Sequence, residues 1–79
     1  MSELAELVAY LARRLVDDPD QVRVDESEEE GAVVLRLHVA EGDRGRVIGR
    51  RGRIIRALRT VVRAGGARGD RRVLLELAD

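Results

Sequence analysis

Five arginines fall within residues 46–56 (Arg46, Arg50, Arg51, Arg53 and Arg56). They are interleaved with Val47, Ile48, Ile54 and Ile55 and with a Gly-x-x-Gly pair at Gly49 and Gly52. A guanidinium presents a planar fork of donors that matches two phosphate oxygens at once. Glycines at both corners of the turn let the backbone come close to a sugar-phosphate strand, because neither has a side chain in the way. Arg50 and Arg51 then occupy the tip, where they can meet phosphates. The turn alone is weak: with 8 glycines in 79 residues, chance placement gives roughly one such pair. The chain holds three, at Gly42–Gly45, Gly49–Gly52 and Gly66–Gly69. Only the middle pair follows two adjacent β-branched apolar residues and opens a clean helical pattern.

Other chemistry finds little material. His38 is the only histidine, and it alternates onto the Arg36 side of a strand, a peripheral position. There is no cysteine, which excludes disulfides, thiolate metal sites and Cys nucleophiles. A phosphate-binding P-loop needs Gly-Lys-Ser/Thr, and the sequence has no lysine. Asp17, Asp18 and Asp20 surround Pro19 and read as a turn rather than a divalent-cation site. No catalytic residue, metal or cofactor is expected, and the chain reads as a binding protein rather than an enzyme.

The element that must position the arginines is a helix over about 52–64. At about 100° per residue, with Arg53 at zero, Val61, Ile54, Leu58, Val62 and Ile55 span roughly 80° to 200°. Arg59, Arg63 and Arg56 span roughly 240° to 300°. One face can pack on a sheet while another offers a row of guanidinium groups. Gly65 and Gly66 are expected to end this helix, with Gly69 in the next turn. Upstream, residues 3–16 read as an amphipathic helix with Ser2 as N-cap and a stripe of Leu4, Leu7, Val8, Leu11 and Leu15. Tyr10 reads as a packing residue of that helix. Pro19 ends it. Val22 and Val24 mark a short strand, 26–31 an acidic turn, and Val33, Leu35, Leu37 and Val39 one face of a second strand, with Val34, Arg36 and His38 opposite. Residues 41–48 form one or two helical turns, and Val73, Leu75 and Leu77 a last strand.

Seventy-nine residues make one domain, 1–79. The longest apolar run is the six residues Leu7–Ala12, far below the ~20 residues a membrane span needs, so a soluble, cytoplasmic protein with no membrane association is expected. Net charge is zero, but residues 1–43 hold 12 acidic residues against 4 arginines, a net of −8, while 44–79 hold 11 arginines against 3 acidic residues, a net of +8. That asymmetry fits a basic binding surface. Phosphate recognition and genomic codon bias both account for the exclusive use of arginine.

The element order and the motif together resemble a type II KH domain: an α+β, two-layer fold of order α-β-β-α-α-β, with a three-stranded sheet covered on one face by three helices. A single such domain filling the chain is similar to the small bacterial KhpA family, on the stretch AEGDRGRVIGRRGRIIRALRTVVRA (Ala40–Ala64). The resemblance implies that Gly49, Arg50, Arg51 and Gly52 clamp the backbone of about four unpaired nucleotides of single-stranded RNA. Val47, Ile48, Ile54, Ile55 and Leu58 divide between groove and core, and Arg46, Arg53 and Arg56 add phosphate contacts. It further implies a post-transcriptional or RNA-chaperone role linked to cell elongation and shape, self-association as a homodimer, and a heteromer with a larger KhpB-like, KH-containing partner. The near absence of aromatics fits a clamp rather than a base-stacking module. A protein-interaction module with little RNA binding is the alternative. In type II KH domains the loop between the first two strands flanks the groove. Here Glu28-Glu29-Glu30-Gly31 would repel phosphate, fold over the clamp, or form a solvated turn pointing away.

Overall fold

A computed structural model describes residues 2–79. Three helices and three strands follow in the order α1 (Glu3–Leu15), β1 (Arg23–Glu29), β2 (Ala32–His38), α2 (Arg44–Ile48), α3 (Arg53–Arg68) and β3 (Val73–Leu77). Short 3-10 turns at Pro19–Gln21, Glu41–Asp43 and Arg50–Gly52 join them. The strand order is β1-β2-β3, with β1 antiparallel and β3 parallel to the central strand. This is the expected α+β order. A parallel β2–β3 pair needs a crossover, and α2, the glycine loop and α3 supply it.

Alternation decides which face of the sheet is covered. Val22, Val24, Leu35, Leu37, Val73 and Leu75 join Ala5, Val8, Ala9, Ala12, Val47, Ile55, Leu58 and Val62 from the helices in one core. The opposite face carries ion pairs instead: Arg36–Glu76 at 2.8 Å, His38–Asp25 at 2.8 Å and Arg23–Asp25 at 3.2 Å. Arg23, and after it His38, hold the Asp25 carboxyl below the usual carboxylate range. His38 thus has a carboxylate partner on an open sheet face, well suited to a peripheral role.

Ser2 caps α1 as expected, its Oγ accepting the Ala5 N–H at 3.1 Å. The face of α1 that packs differs from the expected leucine stripe. Its deepest residues are Ala5, Val8, Ala9 and Ala12; Leu4, Leu11 and Leu15 are half-buried and Leu7 is exposed. Alanines bring the helix axis close to its neighbours, and the leucines reach around the flanks. Tyr10 is exposed rather than packed, with the Arg14 guanidinium 5.9 Å from its ring centroid.

Two further expectations are corrected. The acidic segment is not a turn: β1 runs to Glu29 and pairs residue by residue with β2, from Arg23 opposite His38 to Glu29 opposite Ala32. Only Glu30 and Gly31 turn, both at positive φ (52° and 79°), as a two-residue hairpin requires. Carboxylates suit this strand because it is an edge, where charge discourages pairing with other chains.

The second correction concerns Gly65 and Gly66, which lie inside α3 rather than ending it. A Cβ on Gly65 would come within 2.9 Å of Leu4 Cδ1, and one on Gly66 within 2.7 Å of Val73 Cγ2 and 2.8 Å of the Arg71 carbonyl oxygen. Each glycine costs the helix nearly 1 kcal/mol, offset by letting α1 and β3 approach closely. Helix propensity alone predicts that Gly66→Ala stabilises. The packing predicts a loss of about 1–3 kcal/mol, measurable as a lower midpoint in chemical denaturation.

Candidate nucleic-acid interface

The loop between α2 and α3 is built from backbone conformations that few residues tolerate. Gly49 sits at φ 76°, ψ 172°, a region essentially restricted to glycine. A Cβ there would also lie 2.6 Å from Ile54 Cγ1. Arg51 (φ 57°, ψ 25°) and Gly52 (φ 72°, ψ 17°) are both left-handed. The Gly49 N–H donates to the Gly45 carbonyl at 2.9 Å, and the Gly52 N–H to the Gly49 carbonyl at 3.1 Å. The Arg53 N–H donates to Arg50. These hydrogen bonds brace the loop from within its own backbone.

Side chains sort cleanly around it. Val47, Ile55 and Leu58 are core residues, while Ile48 is 36% exposed and Ile54 half-buried beside Gly49. Ile48 and Ile54 thus form an apolar surface next to the loop. Arg50, Arg51, Arg53 and Arg56 are exposed. None of them has a carboxylate partner among the described residues, whereas Arg23, Arg36, Arg44, Arg46 and Arg71 all do. The first turn of α3 carries no acidic residue, so the positive end of the helix dipole adds to the same potential.

Arg46 stands apart. Its guanidinium lies 2.8 Å from Asp17 and 3.4 Å from Asp43 and donates to the Gly42 carbonyl at 3.3 Å. Asp43 is 3% exposed and accepts the backbone N–H groups of Asp17 (3.1 Å) and Asp18 (3.0 Å). The acidic residues after α1 therefore tie that helix's end to the start of α2. No feature of the sequence linked Asp43 to Asp17.

Sequence reasoning also missed a groove farther along α3. A groove of about 590 Å³ runs between α3 and the outer edge of β3, lined by Arg59, Arg63 and Ala67 on one side and residues 71–76 on the other. The Arg59 Nε–H donates to the Leu75 carbonyl at 3.3 Å. The helical arc of Arg56, Arg59 and Arg63 pointed to one wall. The exposed Leu74, between buried Val73 and Leu75, was the available signal for the other. The acidic hairpin neither covers the loop nor points away from the groove: Glu28 bonds Arg71 at 2.7 Å, at the groove end farther from Gly49.

Residues 5–77 match the family model described as KhpA/KhpB, KH domain. The chain belongs to the KhpA/KhpB KH-domain family. Among curated relatives, RNA-binding protein KhpA of Treponema pallidum is 50% identical over 74 residues, 94% of this chain and 92% of that protein. RNA-binding protein KhpA of Aquifex aeolicus is 47% identical over all 79 residues and the full length of both, and that of Bacillus subtilis is 40% identical over 96% of this chain and 94% of that protein. A crystal structure of an Aquifex aeolicus Era variant bound to GDP.AlF4- superposes with a TM-score of 0.59 at 21% identity, over 94% of this chain and 29% of that one. That similarity is one of fold.

The two loop glycines are not equivalent within this KH fold. A Cβ on Gly52 would come no closer than 3.3 Å to any atom, and that atom is at the flexible tip of Arg56. Gly52→Ala is expected to cost about 1–2 kcal/mol, and Gly49→Ala at least about 3 kcal/mol from conformation and clash together, compared by thermal melts. Asp43→Ala, which strips two backbone donors of their acceptor, should cost about 2–4 kcal/mol in the same assay.

Proposed function

We propose that this chain, as a single KH domain, binds single-stranded RNA by clamping its backbone on the Gly49-Arg50-Arg51-Gly52 loop. The observation that carries the reading is the split among arginines. Among the described residues, Arg46 beside the loop is engaged by Asp17 and Asp43, whereas Arg50, Arg51, Arg53 and Arg56 stand exposed around the glycine loop with no carboxylate partner. Arg50 and Arg51 meet phosphates at the tip, and Arg53 and Arg56 extend the contact along the first turn of α3. Ile48 and Ile54 receive the sugar and base faces, with Val47 and Ile55 supporting them from the core. Arg46 acts through Asp17 and Asp43, holding α2 in place. The relatives named RNA-binding protein KhpA support the same reading.

Association between domains is the second reading. The exposed apolar Leu7 and Val61 favour it, and a second copy or a KhpB-like protein would be the partner. A cytoplasmic role in RNA chaperoning and in control of cell elongation depends on the RNA-binding reading and on the family resemblance.

With three or four phosphates neutralised, log K should fall with log salt at a slope of about −2 to −3. Fluorescence anisotropy on labelled single-stranded RNA should show salt-sensitive binding by the wild type and none by Arg50→Asp/Arg51→Asp. Aspartate tolerates the left-handed backbone at position 51, so the variant should keep its fold by circular dichroism. Retained RNA binding in that folded variant would reject the clamp.

A further inference from the structure

The residue at the N-cap of α2 does not cap it. Asp43 is of a type that normally accepts an N–H from the first turn of its own helix, and its side chain makes no such bond. Its two carboxylate oxygens go to another element instead. One accepts the Asp17 N–H (3.1 Å) and the other the Asp18 N–H (3.0 Å), just beyond the end of α1. Asp43 is also the one charged side chain that is buried among the described residues.

The helix it opens has little else to fix its direction. Five residues are too few to be stable as a helix alone. Val47 is the only one of them that is buried, and a Cβ on Gly45 would meet nothing within 4 Å. One buried side chain leaves a short rod free to pivot, so an anchor at its other end is needed to set the axis. Arg44 supplies part of that anchor by donating to the Ala78 carbonyl. Asp43 supplies the rest through charge-assisted bonds made out of water's reach. The opposite end of the rod carries the clamp, since Gly49 follows Ile48 directly and donates back to Gly45. From Asp43 to Gly49 the axis runs about 9 Å, so Asp43 acts on the loop from a distance.

We propose that Asp43 is a positioning residue for the clamp: it aims α2 and the Gly49–Gly52 loop by pinning them to the end of α1. RNA bound at the loop in turn holds the pin closed, because such coupling is reciprocal. The proposal rests on the RNA-binding reading above and adds a link from the loop to residues 17–18 on another element.

Asp43→Asn tests it by the sign of its effect. The amide keeps the side chain's size but leaves one acceptor oxygen for two N–H donors. Charge alone predicts tighter RNA binding, since a carboxylate is removed and Arg46 is released. Positioning predicts binding about tenfold weaker, by anisotropy of a labelled oligouridylate at a temperature where circular dichroism shows the variant folded. The salt slope should stay that of the wild type, because no phosphate contact is lost. Ser2→Ala, which uncaps the far end of α1, is the stability control and should leave RNA affinity unchanged. A second measurement depends on no variant folding: in the wild type, saturating oligouridylate should slow amide exchange at Asp17 and Asp18 about fivefold. If folded Asp43→Asn binds RNA as tightly as the wild type or tighter, or if Ser2→Ala loses as much affinity, the inference falls while the clamp reading stands. The same holds if RNA leaves exchange at Asp17 and Asp18 unaltered. If the wild type binds no RNA, both fall.

Discussion

The wall that α3 forms depends on close approaches at both ends of the helix, to the glycine loop at its start and to the residues leading into β3 near its end. At its start Ile54 packs on the bare backbone of Gly49; near its end Val73 and the Arg71 carbonyl press on Gly66. No side chain larger than hydrogen fits at either point without displacement. Between these two contacts Ile55, Leu58 and Val62 are buried in the common core. The buried Asp43 does the same for α2 by a polar route, holding the end of α1 through two backbone N–H groups.

The charges divide the molecule by task. Surface ion pairs are individually worth ~0–1 kcal/mol, so the Arg36–Glu76 and Arg71–Glu28 pairs contribute little to stability. Their larger effect is on what remains free. The carboxylates of Glu28 and Glu76 are engaged, and Arg50, Arg51, Arg53 and Arg56 at the loop, with Arg63 and Arg72 in the cleft, have no carboxylate partner among the described residues. A chain of zero net charge thereby keeps a strongly positive surface.

How much of this the sequence disclosed depended on whether the governing contact was local. The glycine loop, the basic arc of α3 and the Ser2 cap are all local, and all were legible. Gly65 and Gly66 were misread as a helix end because propensity records their cost to the helix but not the strand that presses on them. The carboxylates of 26–29 were misread as a turn because residue-by-residue pairing with β2 outweighs their poor intrinsic strand preference. The ion pair of Arg46 with Asp17 was not legible, since nothing in its neighbourhood announced a partner so far back along the chain. The division of Val47, Ile48, Ile54, Ile55 and Leu58 between core and surface needed the packing itself.

The unusual backbone of the loop has a kinetic consequence. Ordering a flexible residue costs about 1–2 kcal/mol, so a loose four-residue loop would lose several kcal/mol on closing around a ligand. Here the left-handed or glycine-only torsions at Gly49, Arg51 and Gly52 are set in the folded chain, and that entropy is lost during folding. On the proposed reading, an incoming strand would meet a loop whose backbone is held by its own hydrogen bonds. Association should then be limited by diffusion and electrostatic attraction rather than by loop rearrangement, and a modest affinity would take the form of fast capture with fast release.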